Sequence, residues 1–336
     1  MKKLVIICLL VSGFTFAQQE AQFSQYYNNP YYFNPAAGGL TKTTQFDVGF
    51  RRQWMNIEGS PLSFYASGHS EIRFNKFKSE VIEEFNNDNE SVYASPEKRI
   101  GVTKHVVGGK MVSDQIGPFV KTGVMGSYAY HLRFTEKTML GLGVSAGWSN
   151  FGINSSKVIL HDEDDFEYNN FLMRNSNQNI FDVQAGLTFY GEKFTFGISS
   201  TQLLQNDLII EEVITQSQYG RHWFMFGMYE FSASEEIAIE PHFMVQTIAN
   251  APISVNFGTR VIYKDRYWGN IAYRFGDAIN VGVGMNIAKN FRLGYAYDFS
   301  AGQVQRINNS VHELVIGYII GNNRNVEKEL KDGENL

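Results

Sequence analysis

The dominant pattern along this chain has a period of two. From Met139 to Trp148, the residues Leu140, Leu142, Val144, Ala146 and Trp148 alternate with Gly141, Gly143, Ser145 and Gly147. Such alternation places the large groups on one face of a β-strand and the small ones on the other. Val281, Val283, Met285 and Ile287 repeat it against Gly282, Gly284 and Asn286, and Phe291, Leu293, Tyr295, Tyr297 and Phe299 repeat it against Arg292, Gly294, Ala296 and Asp298. A soluble sandwich also alternates, but around an aliphatic core. Here the apolar face is repeatedly ended by Tyr, Trp or Phe, as in the aromatic girdle of a membrane barrel. Fourteen such segments are read: 43–54, 62–72, 100–107, 118–130, 137–149, 178–190, 193–201, 221–232, 235–247, 252–263, 266–275, 278–287, 291–299 and 311–320. An even count suits a bacterial single-chain barrel. Segments 118–130 and 221–232 are apolar on both faces, which leaves their register open. The expected fold is all-β, a transmembrane antiparallel β-barrel over 43–320.

The connections give a second line of argument, because outer-membrane barrels pair short periplasmic turns with longer extracellular loops. Gly191-Glu192, Ser232 to Ser234, Lys264-Asp265 and Ala288 to Asn290 are short, and they alternate with the longer stretches 150–177, 202–220, 248–251 and 300–310. Gly276-Asp277 is short where a loop is expected. The parity puts both termini in the periplasm. Residues 73–99 form a long insertion on that same side, with Lys76, Lys78, Glu80, Glu83, Glu84 and Asp88. It reads as a solvated loop, with a short helix or an extra hairpin as alternatives.

The ends fix the expected compartment. Lys2 and Lys3 precede an apolar run from Leu4 to Phe16, and small residues at Thr15 and Ala17 suit a signal peptidase, so 1–17 read as a signal peptide cleaved after about Ala17. The run is too short for a membrane helix, which needs about 20 apolar residues. No later segment has the length and apolarity of such a helix, so a membrane crossing must use strands. The single cysteine, Cys8, lies within the signal peptide and leaves no thiol for a disulfide or a metal site. Aromatic residues make up 15% of the chain, with 31 Gly against 7 Pro, and the net charge of -5 gives no signal for nucleic acid. Residues 18–42 are expected to be ordered in or under the periplasmic mouth, since Pro30 and Pro35 restrict the backbone and five Tyr or Phe from Tyr26 to Phe33 would be costly in water. Residues 321–336 are a charged periplasmic tail.

Few motifs carry chemistry. Gly141-Leu142-Gly143-Val144-Ser145-Ala146 has the letters of a dinucleotide fingerprint but is itself a strand, so its glycines read as relief of crowding inside a barrel. The 7 histidines show no H-E-x-x-H spacing and no Ser sits in a G-x-S-x-G elbow, so the chain is expected not to be an enzyme and to hold no cofactor. His161-Asp162-Glu163-Asp164-Asp165 invites a Ca²⁺ reading, yet lacks the glycine and twelfth-position Glu of an EF-hand loop, and a hydrated acidic surface is preferred to any metal site. If the aromatic faces meet lipid, Asp47, Arg51, Gln53, Asp182, Gln184, Glu240, His242, Arg260, Arg274, Arg292, Asp298 and Glu313 face the lumen. Mixed charges in a narrow space are expected to pair with one another, with transport of a charged solute as the sharper alternative.

Six pieces, in order along the chain, resemble a known family. Gln22-Phe23-Ser24-Gln25-Tyr26-Tyr27-Asn28-Asn29-Pro30 followed by Phe33-Asn34-Pro35-Ala36-Ala37-Gly38 is similar to the start of the PorP/SprF outer-membrane proteins of Bacteroidetes. Phe50-Arg51-Arg52-Gln53-Trp54 resembles its aromatic-Arg-x-Gln-Trp motif, Asp114-Gln115-Ile116-Gly117-Pro118 its D-x-I-G-P-type loop, and Tyr128-Ala129-Tyr130-His131-Leu132 its Y-A-Y-H strand. Gly294-Tyr295-Ala296-Tyr297-Asp298 and Ser310-Val311-His312-Glu313-Leu314 resemble its G-Y-x-Y-D and G-S-H-E-I pieces, although Val311 stands where Ser is usual. The resemblance implies a part in type IX secretion and gliding motility, with other outer-membrane or periplasmic components of that system as partners. PorP-like members serve the core machine, whereas SprF-like members serve individual adhesins through a C-terminal domain. A lumen of paired charges favours the SprF-like role, and a FadL-like or porin-like transporter is the alternative. The motif residues Asn34, Pro35, Arg51, Gln53, Trp54, Asp298, His312 and Glu313 are singled out, and Phe151, Phe166, Tyr168 and Phe171 in a long loop are candidate partner contacts.

Overall fold

The computed structural model describes residues 22–320, apart from 42, 56, 73–102, 136, 159–176, 209–216, 219, 249–250, 288–289 and 301–309. Among the described residues, fourteen antiparallel strands close into a barrel. They are β1 (Thr44–Gln53), β2 (Leu62–Ile72), β3 (Lys104–Ile116), β4 (Phe119–Arg133), β5 (Thr138–Ile153), β6 (Asn177–Gly191) and β7 (Phe194–Thr201). There follow β8 (His222–Tyr229, continued past Glu230 by Phe231–Ser232), β9 (Ile237–Ile248), β10 (Ser254–Tyr263), β11 (Tyr267–Arg274), β12 (Ala278–Ile287), β13 (Phe291–Ser300) and β14 (Ser310–Ile320). Each pairs with its neighbour in sequence, and β1 pairs with β14 from Thr44↔Ile320 to Gln53↔Val311, which shuts the ring. Closure removes the sheet edge that the hydrocarbon layer would leave unsatisfied.

Strand direction alternates, so the ring has two rims. The loop rim carries the connections 54–61, 154–176, 202–221 and 301–309; the turn rim carries 192–193 and 264–266 and the wall's two ends, Thr44 and Ile320. At Lys264-Asp265 both residues have φ of 52°, the left-handed pair of a type I′ hairpin turn whose twist matches its strands. Between the rims the outer face exposes Val48, Val144, Ile271, Val283 and Ile316. Trp223, Tyr273 and Phe299 are exposed toward the loop rim, and Tyr263, Tyr267, Phe291 and Tyr318 toward the turn rim. An apolar belt between two aromatic girdles is the outer surface of a bilayer-spanning barrel.

One departure from the sequence reading and one feature already visible in the sequence share a cause. β3 runs to Ile116 rather than stopping at 107, so Asp114 to Ile116 belong to a strand and only Gly117-Pro118 turn. The segments that looked apolar on both faces, now β4 and β8, are so: Val124 and Tyr128 face outward while Ala129 is buried, and Trp223 faces outward while Phe224 and Phe226 are buried. The inner wall meets protein instead of water, so inward positions such as Val106 and Phe226 are apolar too and the period-two contrast fades. The insertion 73–99 and the tail 321–336 lie outside the described residues.

Candidate functional site

The lumen is filled by the chain's own N-terminal segment. Ser254 Oγ donates to Gln22 Oε1 at 3.5 Å near the loop rim, and from there the segment descends to Thr43, at the start of β1 on the turn rim. It therefore occupies the lumen along its length, not only the mouth at the turn rim. Pro30–Tyr32 and Pro35–Ala37 form short 3₁₀ turns, each opened by a proline whose fixed φ suits that position. Phe23, Tyr26, Tyr27, Tyr31, Tyr32 and Phe33 are all buried. They pack against Tyr65, Phe224, Met244 and Trp268 of the wall, with Phe23 edge-on to Tyr65 at 4.7 Å and Phe33 tilted on Phe224 at 5.5 Å. The hydrophobic core of this membrane protein is thus inside the ring, where a segment of the chain takes the place of water.

The upper end of the segment is held by charge. Glu313 accepts both neighbouring amides, Ser24 N–H at 2.7 Å and Gln25 N–H at 2.8 Å. Arg51 donates to Ser24 Oγ at 2.9 Å, to Glu313 at 3.0 Å and to Asp298 at 2.9 Å; Arg274 donates to Ser24 Oγ at 3.0 Å. Ser24 Oγ in turn donates to the Asp298 carboxylate at 2.8 Å. One hydroxyl thereby uses its donor and both lone pairs, the full capacity of a serine. The group is buried, with Arg51 and Asp298 each 2% exposed at the side chain, and two arginines balance Asp298 and Glu313. A relay extends it: Tyr26 Oη lies 2.6 Å from His242 Nδ1, His242 Nε2 lies 2.7 Å from Asn270 Oδ1, Asn270 donates to Asn280 at 2.9 Å, and Asn280 donates to Asp298 at 2.5 Å. With the imidazole proton on Nε2, every donor in this relay points toward the carboxylate, and such aligned bonds polarise one another.

The lower end is held by shape. Gly143 and Gly186 face each other across β5 and β6, and a Cβ on them would lie 2.2 Å from Ala36 N and 2.1 Å from Asn34 Oδ1. These strands lack side chains where the turn at Pro35 presses on the wall. Asn34 caps that turn, its Oδ1 accepting from Ala36 N–H at 2.9 Å, while its amide donates to the wall carbonyls of Leu187 at 2.8 Å and Ile198 at 3.2 Å. The dinucleotide-like glycines of β5 are thus part of a seat for this turn. Elsewhere Arg260 pairs with Glu240 at 2.8 Å and donates to Asn28 at 3.0 Å, and Arg292 pairs with Asp47 at 2.5 Å.

Of the residues singled out from the sequence, Arg51, Asp298 and Glu313 come together on Ser24, and Asn34 and Pro35 sit in the glycine seat. Gln53 and Trp54 line the loop rim, Trp54 at φ 52° with its N–H on the Ser310 carbonyl at 2.8 Å. His312 alone points outward. Phe151 is not in a loop: it lies near the end of β5, stacked on Phe119 at 6.2 Å inside the mouth. Phe166, Tyr168, Phe171 and the acidic run 161–165 lie outside the described residues. Among the described residues no group of His, Asp or Glu is arranged to hold a metal ion. Ser24 and Asn280 went unmarked in the sequence; Ser24 lay within a motif, whereas nothing local distinguishes Asn280.

Above the clamp the loop rim forms a cup of about 400 Å³. Arg51, Asp298 and Arg274 make its floor, and Trp54, Ile253 and Phe275 belong to its wall. These features define a class: an outer-membrane β-barrel occluded by its own N-terminal segment. The chain belongs to the type IX secretion system membrane protein PorP/SprF family, whose model matches residues 15–318. No curated protein matches it. Among solved structures, the Ralstonia pickettii toluene transporter TbuX is 12% identical with a TM-score of 0.48, over 85% of this chain and 92% of that one. The Pseudomonas putida toluene transporter TodX is 10% identical with a TM-score of 0.46, over 87% and 93%. Likenesses this distant carry no weight for what this barrel does.

Proposed function

We propose that this protein is a closed docking scaffold that receives or anchors a secreted adhesin through the adhesin's type IX C-terminal domain, the SprF-like role within its family. The occupied lumen carries this reading. A solute path would require the N-terminal segment to leave, and leaving takes the Ser24 hydroxyl and the Ser24 and Gln25 amides from the buried Arg51, Arg274, Asp298 and Glu313, whose hydrogen bonds they complete, and uncovers the aromatic core of the lumen. What a partner can reach is the loop rim, and loops on a rigid scaffold commonly carry recognition. Phe151 in the mouth and Phe166, Tyr168 and Phe171 in the 154–176 connection are the contacts we assign to that partner, with other type IX components bound from the periplasmic side. In this reading the signal peptide is removed after about Ala17, the loop rim faces outward and the protein works without catalysis or cofactor. The test is surface proteomics of a deletion strain beside wild type, with complementation. Loss of one large adhesin with the other cargo retained is the expected result. Loss of all type IX cargo would assign the PorP-like role, and an unchanged surface with altered solute uptake the transporter role.

A further inference from the structure

The clamp takes Arg51, Asp298 and Glu313, but two residues beside them in the same motifs, Arg52 and His312, point the other way. They are direct cross-strand partners on β1 and β14, and His312 is in turn the partner of Tyr297 on β13. All three lie within three residues of the loop-rim ends of their strands, so at a rise of about 3.4 Å per residue they sit within roughly 10 Å of that rim. Phe299 of the loop-rim girdle lies at the same level, two residues from Tyr297, and such aromatic girdles mark the interfacial layer where lipid headgroups begin. Arg52 is exposed, and no described acidic side chain forms an ion pair with it. His312 is held in place: its Nδ1 lies 2.7 Å from the Tyr295 hydroxyl and the Tyr297 ring stands edge-on to it at 5.0 Å. With that hydroxyl donating, the neutral ring carries its proton on Nε2. Directly toward the bilayer centre, the same strands expose Phe50, Leu314 and Ile316.

We propose that Arg52 and His312 form a binding site on the outer wall for a lipid-linked phosphate, which lies in the outer leaflet in the orientation of the proposed function, on which this leaflet assignment rests. The guanidinium fork matches phosphate oxygens, the imidazole adds a donor beside it, and the apolar residues beneath take the acyl chains. A built-in contrast supports the assignment. Near the turn rim His105 makes a similar pair, its Nδ1 2.7 Å from the Tyr128 hydroxyl, but its cross-strand partners are Ile72 and Tyr130, with no cation.

The test is native mass spectrometry of the full-length protein extracted from vesicles of phosphatidylcholine doped with phosphatidic acid. Retained phosphatidic acid is compared among wild type, Arg52→Gln, His312→Gln and the control His105→Gln, each checked for the compact band of a folded barrel on unboiled gels. Arg52→Gln is expected to lower retention about fivefold, the worth of one basic group near a lipid surface, and His105→Gln to leave it unchanged. Arg52→Lys, which keeps the charge without the fork, should fall between. Equal retention in wild type and Arg52→Gln overturns the site. Displacement of the lipid by inorganic phosphate at equal concentration overturns its lipid source, since a free anion would then serve as well.

Discussion

The lumenal segment is held at its two ends by different physics. Near the loop rim the grip is electrostatic: Ser24 and Gln25 are bound by Arg51, Arg274, Asp298 and Glu313, every one of them buried. Toward the turn rim it is steric, an Asn-capped turn set into a wall of glycines at Gly143 and Gly186. The first kind fails abruptly, because removing one charge leaves its partner buried and unpaired. The second fails by degree with the volume added.

The largest effect should come from Arg51→Met, which takes one cation from two carboxylates. A buried pair broken on one side costs about 3–5 kcal/mol. Planar-bilayer recordings should then show conductance where the wild type is closed, and thermal unfolding in detergent should occur at lower temperature. A silent bilayer together with an unchanged midpoint would mean that the clamp does not hold the segment. Gly143→Val tests the seat: overpacking of this kind costs about 1–3 kcal/mol. Gly126→Ala is its control, since a Cβ there meets nothing within 4 Å, and it should leave the midpoint where it is. Next comes Asn34→Ala, expected to cost about 1–3 kcal/mol through unmet buried partners. In a double-mutant cycle with Gly186→Ala the combined loss should be smaller than the sum, because the added Cβ occupies space the lost amide vacates. Strict additivity would show that Asn34 and Gly186 do not share a site. The smallest effect is assigned to Lys264→Gln at the turn rim, where the pair with Glu236 is half exposed on both sides. Such pairs contribute little, and a clear shift in midpoint would overturn that ranking.

Much of the wall was legible in the sequence, because lipid outside and protein or polar groups inside impose a period of two that survives without an alignment. β2 and β12 were placed to the residue, 62–72 and 278–287. β3 was not, since Gly108, Gly109, Lys110 and Asp114 face neighbours that no local pattern reveals. The lumenal charges were legible as a set, for they fall on the face opposite the aromatics, but their convergence was hidden. Arg51 and Glu313 lie 262 residues apart in sequence and 3.0 Å apart in space, and only the closed ring joins them. The same holds for the seat: Gly143 and Gly186 read as small residues in strands until Ala36 is placed against them.

The seam between β1 and β14 joins the first strand of the wall to the last, and Arg51 and Glu313 are paired directly across it. The order of assembly follows. In the described ring β1 and β14 are the neighbours that are not adjacent in sequence, so their junction closes the longest stretch of chain, and until it forms Ser24 and Gln25 have no Glu313 to bind and Arg51 lacks one of its two anions. Sealing the ring and seating the segment then become a single late event, because the residues that grip Ser24 also bracket the last junction to form. A chain in which Ser24 and Gln25 are deleted would close without that latch, and should accumulate as an open, protease-sensitive intermediate during insertion.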